Sequence, residues 1–162
     1  MNILTIDTGT TNTRVTVWRD GDVLAHAARQ VGVRDTAITG STAKLKEGVR
    51  ETIAEALDAA KVHRDEIGLA LASGMITSNV GLCEIPHVPA PAGIDDPAKA
   101  MRESLIADVW HAPIWFVPGV RTAVDHIGLH NCAALAMLPG EDTESFALVE
   151  PPGLAEPTAL PP

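Results

Sequence analysis

Cysteine, positive charge and long apolar runs are all scarce in this sequence, and each scarcity removes a class of protein. The two cysteines, Cys83 and Cys132, are too few for a disulfide scaffold. They also lack the C-x-x-C spacing of a redox pair. Twelve Lys and Arg against 21 Asp and Glu leave a formal net charge of −9, which argues against nucleic acid or an anionic membrane as the main partner. No apolar run approaches the ~20 residues of a membrane helix. The N-terminus, MNILTIDTGTTNTR, lacks the basic stretch, apolar core and cleavage site of a signal peptide. These absences lead us to expect a soluble cytoplasmic chain with reduced thiols.

There is nevertheless ample material for a core, since 46% of the 162 residues are hydrophobic. A chain of this length buries roughly two thirds of its unfolded surface. Residues 3–7, ILTID, read as a buried strand, and 13–18 alternate Val15 and Val17 with polar neighbours. Asp20-Gly21 is a hairpin signal leading into a third strand over 22–29. After a polar Gly/Ser/Thr loop, Leu45, Val49, Ile53, Leu57 and Ala60 mark an amphipathic helix over 42–61. A strand is predicted at 68–72, followed by a long loop with Pro86, Pro89 and Pro91. Asp96-Pro97 predicts the start of a helix over 97–109. A buried strand follows at 113–118, and Val124, Ile127, Asn131, Leu135 and Leu138 suggest a third helix. The order βββαβαβα implies a mixed sheet with helices on its faces. Five of the 12 prolines crowd the last 12 residues, so 151–162 reads as an unpacked end.

Four segments could carry chemistry. In Asp7-Thr8-Gly9-Thr10-Thr11-Asn12-Thr13-Arg14, Gly9 permits a close bend, and turn N–H groups with the Thr10 and Thr11 hydroxyls can surround phosphate oxygens. Asp7 could hold Mg²⁺ directly or through water, and Arg14 could neutralise an anion. Neither G-x-x-x-x-G-K-S/T nor G-x-G-x-x-G is present, and the same residues also suit an ordinary hairpin turn. Ser73 to Gly81 follows a strand's carboxyl end, the usual place for a ligand crevice, although it also fits a glycine-rich connector. Arg121 could fork onto a carboxylate or simply sit at the surface. In Gly140-Glu141-Asp142-Thr143-Glu144 the acids could include a general base, or merely favour a helix start. Asp125, His126, His130 and Cys132 lack the spacing of a zinc site.

Together, the element order and D-x-G-T-T-N-x-R resemble the N-terminal lobe of the actin-like sugar kinase and heat-shock ATPase superfamily, a ribonuclease H-like α/β fold. Within it the chain most closely resembles the 2-dehydro-3-deoxygalactonokinases. The segments that carry this are IDTGTTNTR (6–14), LASGMITSNVGLCEIPHVPAPAG (71–93), FVPGVRT (116–122) and GEDTE (140–144). The resemblance implies transfer of the ATP γ-phosphate to the terminal hydroxyl of 2-dehydro-3-deoxy-D-galactonate in galactonate catabolism. It implies Asp7 near Mg²⁺, Gly9, Thr10 and Thr11 at the phosphates, and Asn12 and Arg14 at the reaction centre. Ser73, Gly74, Met75, Ser78 and Asn79 would line the sugar-acid pocket, with Arg121 on the substrate carboxylate. Glu141 would be the base, with Asp142 as second choice.

Two departures stand out. Pro139 occupies the position of the family's usual Arg, and the family's second phosphate motif, a G-S-H-T-K type run, is missing. Members of the family are roughly twice as long. The expectation is therefore an N-terminal kinase lobe over 1–139, then an entry to a second lobe over 140–162, inactive as it stands and open to self-association. The competing expectations are a non-catalytic sugar-acid-binding or interaction module, or a truncated gene product.

Overall fold

A computed structural model describes residues 1–121 and the strand Met137–Leu138. The apolar and β-branched residues at the start build an antiparallel meander of β1 (Asn2–Thr8), β2 (Thr13–Arg19) and β3 (Asp22–Arg29). Asp20 and Gly21 adopt φ of 52° and 95°, so their turn has the twist that matches the flanking strands. The chain continues through α1 (Val33–Thr39), α2 (Ala43–Ala60), β4 (Ile67–Gly74), β5 (Val88–Pro89), α3 (Asp95–Ala100), β6 (Arg102–Ser104) and β7 (Ile114–Phe116). Strands β8 (Val120–Arg121) and β9 (Met137–Leu138) complete the described elements.

The main sheet runs β3-β2-β1-β4-β7-β6, and β5, β8 and β9 form a smaller one. In the main sheet β4 lies parallel to β1, and β7 lies parallel to β4. A meander extended by two parallel strands beside its first strand is the ribonuclease H-like order, so the expected α/β lobe is the fold observed. Leu4, Ile6, Val15 and Val17 are fully buried on one face of the sheet. Against them lie Leu45, Val49, Ile53 and Leu57, at the four-residue spacing that puts them on one stripe of α2. Each such side chain contributes about 1.5–3 kcal/mol by leaving water. α2 packs chiefly on β3 and β2, and β1 is held between β2 and β4, which fixes where its carboxyl end projects.

Several local expectations are corrected. The helix predicted over 97–109 shrinks to α3, which buries no residue and so gains little from packing. Residues Arg102–Ser104 form instead a short, charged edge strand antiparallel to β7. The apolar residues beyond it, Val109 and Trp110, enter the core from a turn closed by their N–H groups on the Ile106 carbonyl. The strand over 113–118 is only three residues long, bounded by Pro113 and Pro118. The loop before α2 contains α1, and the proline loop contains β5. Leu138, placed on the third helix, belongs to β9, while 122–136 and 139–162 lie outside the described residues.

Candidate functional site

Strand register assembles the first group of residues. The parallel β1–β4 pairing sets Asp7 beside Ser73 and Thr8 beside Gly74, and the antiparallel β1–β2 pairing sets Arg14 beside Asp7. Arg14, Asp7 and Ser73 thus form a row on the sheet face opposite α2, at the carboxyl ends of β1 and β4. Arg14 Nη1 donates to Asp7 Oδ2 at 2.8 Å. The arginine side chain is 63% exposed, so this pair contributes at most about 1 kcal/mol and is readily exchanged. Asp7 Oδ1 is buried and has no hydrogen-bond partner among the described residues. A buried acceptor left unpaired costs about 1–3 kcal/mol. That open oxygen fits a hard cation such as Mg²⁺, held directly or through water. Gly74 is required beside it: its φ is +85°, and a Cβ would lie 2.7 Å from the Thr8 carbonyl oxygen and 2.9 Å from Asp7 Oδ1.

The turn between β1 and β2 is held from two sides. The Gly9 N–H donates to the Asn12 carbonyl at 2.9 Å and closes the turn. From behind, the N–H groups of Val33 and Arg34, at the start of α1, donate to the Gly9 and Thr10 carbonyls at 3.2 and 2.9 Å. Gly32 permits this docking, since a Cβ there would lie 2.4 Å from the Thr10 oxygen. Thr10, Thr11 and Asn12 are exposed, and their N–H groups have no backbone acceptor among the described residues. The Thr11 hydroxyl oxygen accepts from Asn12 Nδ2 at 3.1 Å, which leaves its proton, the Thr10 hydroxyl and those N–H donors able to meet an anion. Thr8 and Thr13 are not. Their hydroxyls are buried, 3.2 Å apart, and Thr13 donates to the Val31 carbonyl.

A second group gathers where the chain leaves β4. Residues Met75–Thr77 make a 3₁₀ turn, and the following segment folds back over it. The N–H groups of Leu82 and Cys83 donate to the Ile76 carbonyl, and that of Ile85 to the Thr77 carbonyl at 3.0 Å. The Val88 N–H then donates to the Gly119 carbonyl, which ties the segment to the start of β8. Between turn and segment lies a cavity of about 480 Å³ lined by Gly74, Met75, Ser78 and Asn79, with Glu84 and His87 opposite in sequence. Partial burial pushes the neighbouring Cys83 thiol above its ordinary pKa.

Of the residues expected from sequence, Asp7, Arg14 and Ser73 are brought into one row, and Gly74 links that row to the cavity. Arg121 lies in β8 opposite Pro89, accepts the Ala90 N–H through its carbonyl, and is not among the residues lining the cavity. Glu141 and Asp142, like Asp125, His126, His130 and Cys132, lie outside the described residues. Among the described residues no group of three His, Cys, Asp or Glu side chains could hold a metal, and no helix is long and apolar enough to cross a membrane. The reading of the sequence missed α1, Glu84 and His87; the pair flanks Ile85-Pro86 just beyond the Ser73–Gly81 stretch, which was the available signal. A smaller cavity of about 260 Å³ between α2 and Trp110 touches none of the candidate residues.

Residues 7–155 match the family described as 2-keto-3-deoxy-galactonokinase. The chain belongs to the 2-keto-3-deoxy-galactonokinase family. In fold it is similar to a crystal structure from Sinorhizobium meliloti assigned as a 2-dehydro-3-deoxygalactonokinase, with a TM-score of 0.62 and 19% identity. The likeness covers 88% of this chain and 40% of that one, so this family member spans well under half of the larger protein's length. A slighter likeness, to component A of the Acidaminococcus fermentans (R)-2-hydroxyglutaryl-CoA dehydratase, has a TM-score of 0.34 at 26% identity over 44% of this chain and 24% of that one. No curated protein matches the chain.

Proposed function

We propose that this family member supplies the sugar-acid site and first phosphate site of a kinase that phosphorylates 2-dehydro-3-deoxy-D-galactonate, in cytoplasmic galactonate breakdown. The observation that carries this reading is the buried Asp7 Oδ1, unpartnered among the described residues, beside a Gly/Thr turn with unpaired N–H donors and a cavity of about 480 Å³. Phosphoryl transfer needs chiefly positioning and charge neutralisation, which such parts supply. The N–H groups and hydroxyls of Thr10 and Thr11 hold the transferred phosphate, with Gly9 shaping the turn that presents them, and Asn12 and Arg14 face the reaction centre. Mg²⁺, when bound by Asp7, neutralises phosphate charge. Ser73, Gly74, Met75, Ser78 and Asn79 orient the sugar acid so that its terminal hydroxyl oxygen bonds to the γ-phosphorus as the bond from that phosphorus to the bridging oxygen breaks. The hydroxyl proton passes to a carboxylate, Glu141 or, failing it, Asp142.

The described residues form one wall of such a site, and water must be excluded for efficient transfer. The chain alone is therefore expected to bind the sugar acid in calorimetry while releasing no ADP above background from Mg-ATP. Robust ADP release would contradict the one-wall account, and absence of sugar-acid binding would contradict the substrate.

A further inference from the structure

The polar groups around the 480 Å³ cavity are not equally available. The Thr77 hydroxyl donates to the Gly74 carbonyl at 2.9 Å, and the Ser78 hydroxyl to the Met75 carbonyl at 2.7 Å. Both protons are spent on holding the 3₁₀ turn. Glu84 and His87, by contrast, have no hydrogen bond or ion pair from their side chains among the described residues. They nevertheless sit on a backbone pinned at Cys83, Ile85 and Val88, with buried Ile85 between them as an anchor. The pinned backbone limits the conformational freedom lost on binding to that of the two side chains themselves.

Their chemistry is also complementary to one class of ligand. Lys and Arg are missing from the residues lining this cavity, and His87 is the lining group able to carry positive charge. Glu84 offers acceptors alone when ionised. A sugar acid presents hydroxyl donors at one end and a carboxylate at the other. Like-charge repulsion keeps that carboxylate away from Glu84. We propose that Glu84 accepts the hydroxyls of the sugar acid and that His87 reads its carboxylate, the role the sequence suggested for Arg121. This assignment rests on the function proposed above. It makes the segment Glu84–His87 the specificity-determining side of the pocket.

Calorimetric titration of the full chain tests it, using 2-dehydro-3-deoxygalactonate and its neutral primary amide. Wild type is expected to prefer the acid over the amide. Glu84→Gln should weaken both ligands at least tenfold, and His87→Leu should weaken the acid at least tenfold while abolishing the preference for acid over amide. Matching thermal melts will establish that both variants are folded. If wild type binds the acid and both variants bind it within twofold of wild type, the assignment is wrong while the proposed function stands. A His87→Leu protein that still prefers the acid also overturns it. Wild type that binds neither ligand overturns the proposed function and this assignment with it.

Discussion

Asp7 holds the most constrained carboxylate of the described site, with Arg14 on one oxygen and a buried, unpartnered second oxygen. Its surroundings permit no bulk on the β4 side. A methyl group at position 74 would have to fit a left-handed φ of +85° and a gap of 2.7 Å to the Thr8 carbonyl. Gly74→Ala is therefore expected to destabilise the fold by about 1–3 kcal/mol, lowering the urea midpoint without changing the slope. An unchanged midpoint would show that the backbone there is free to relax. The sequence reading identified Asp7, Gly9 and Arg14 because they stand together in eight consecutive residues. It could not show that Arg14 meets Asp7, since that contact depends on cross-strand register. Glu84 and His87 escaped notice for a related reason. What distinguishes them is lack of a partner, and partners are visible only in three dimensions.

At the scale of elements, legibility followed length and periodicity. β1, β2, β3 and α2 were readable because alternation or a helical stripe ran through seven or more residues of each. α1 was not, because its seven residues include β-branched Val33, Thr36, Ile38 and Thr39 and bury only Val33 and Thr36. Its stability comes from outside, through the N–H groups it donates to the Gly9 and Thr10 carbonyls. β6 was mistaken for helix because Asp96-Pro97 is a genuine start signal that nothing beyond Ala100 sustains. α2 supports the sheet that carries the site, packing chiefly on β3 and β2, the strand paired with β1. Leu45 is fully buried at its first turn, so Leu45→Ala should cost about 2–5 kcal/mol in equilibrium unfolding. A loss under 1 kcal/mol would mean that α2 does not support the sheet as described.

The described residues form an α/β unit whose strand order brings two parallel carboxyl ends, a Gly/Thr turn and a cavity to one region. The family assignment and the fold agree with this arrangement, and the chain covers 40% of the Sinorhizobium meliloti structure it resembles. Net acidity of −9 is compatible with an anionic ligand here, because such a site depends on donors acting at short range rather than on net charge. The central claim is that the sugar acid binds at the carboxyl ends of β1 and β4. Its most direct test is a ¹H–¹⁵N chemical-shift titration of the chain with 2-dehydro-3-deoxygalactonate. The account predicts saturable shifts confined to the amides of 7–14 and 73–88. Shifts centred on the smaller cavity between α2 and Trp110, or no saturable shifts, would contradict it.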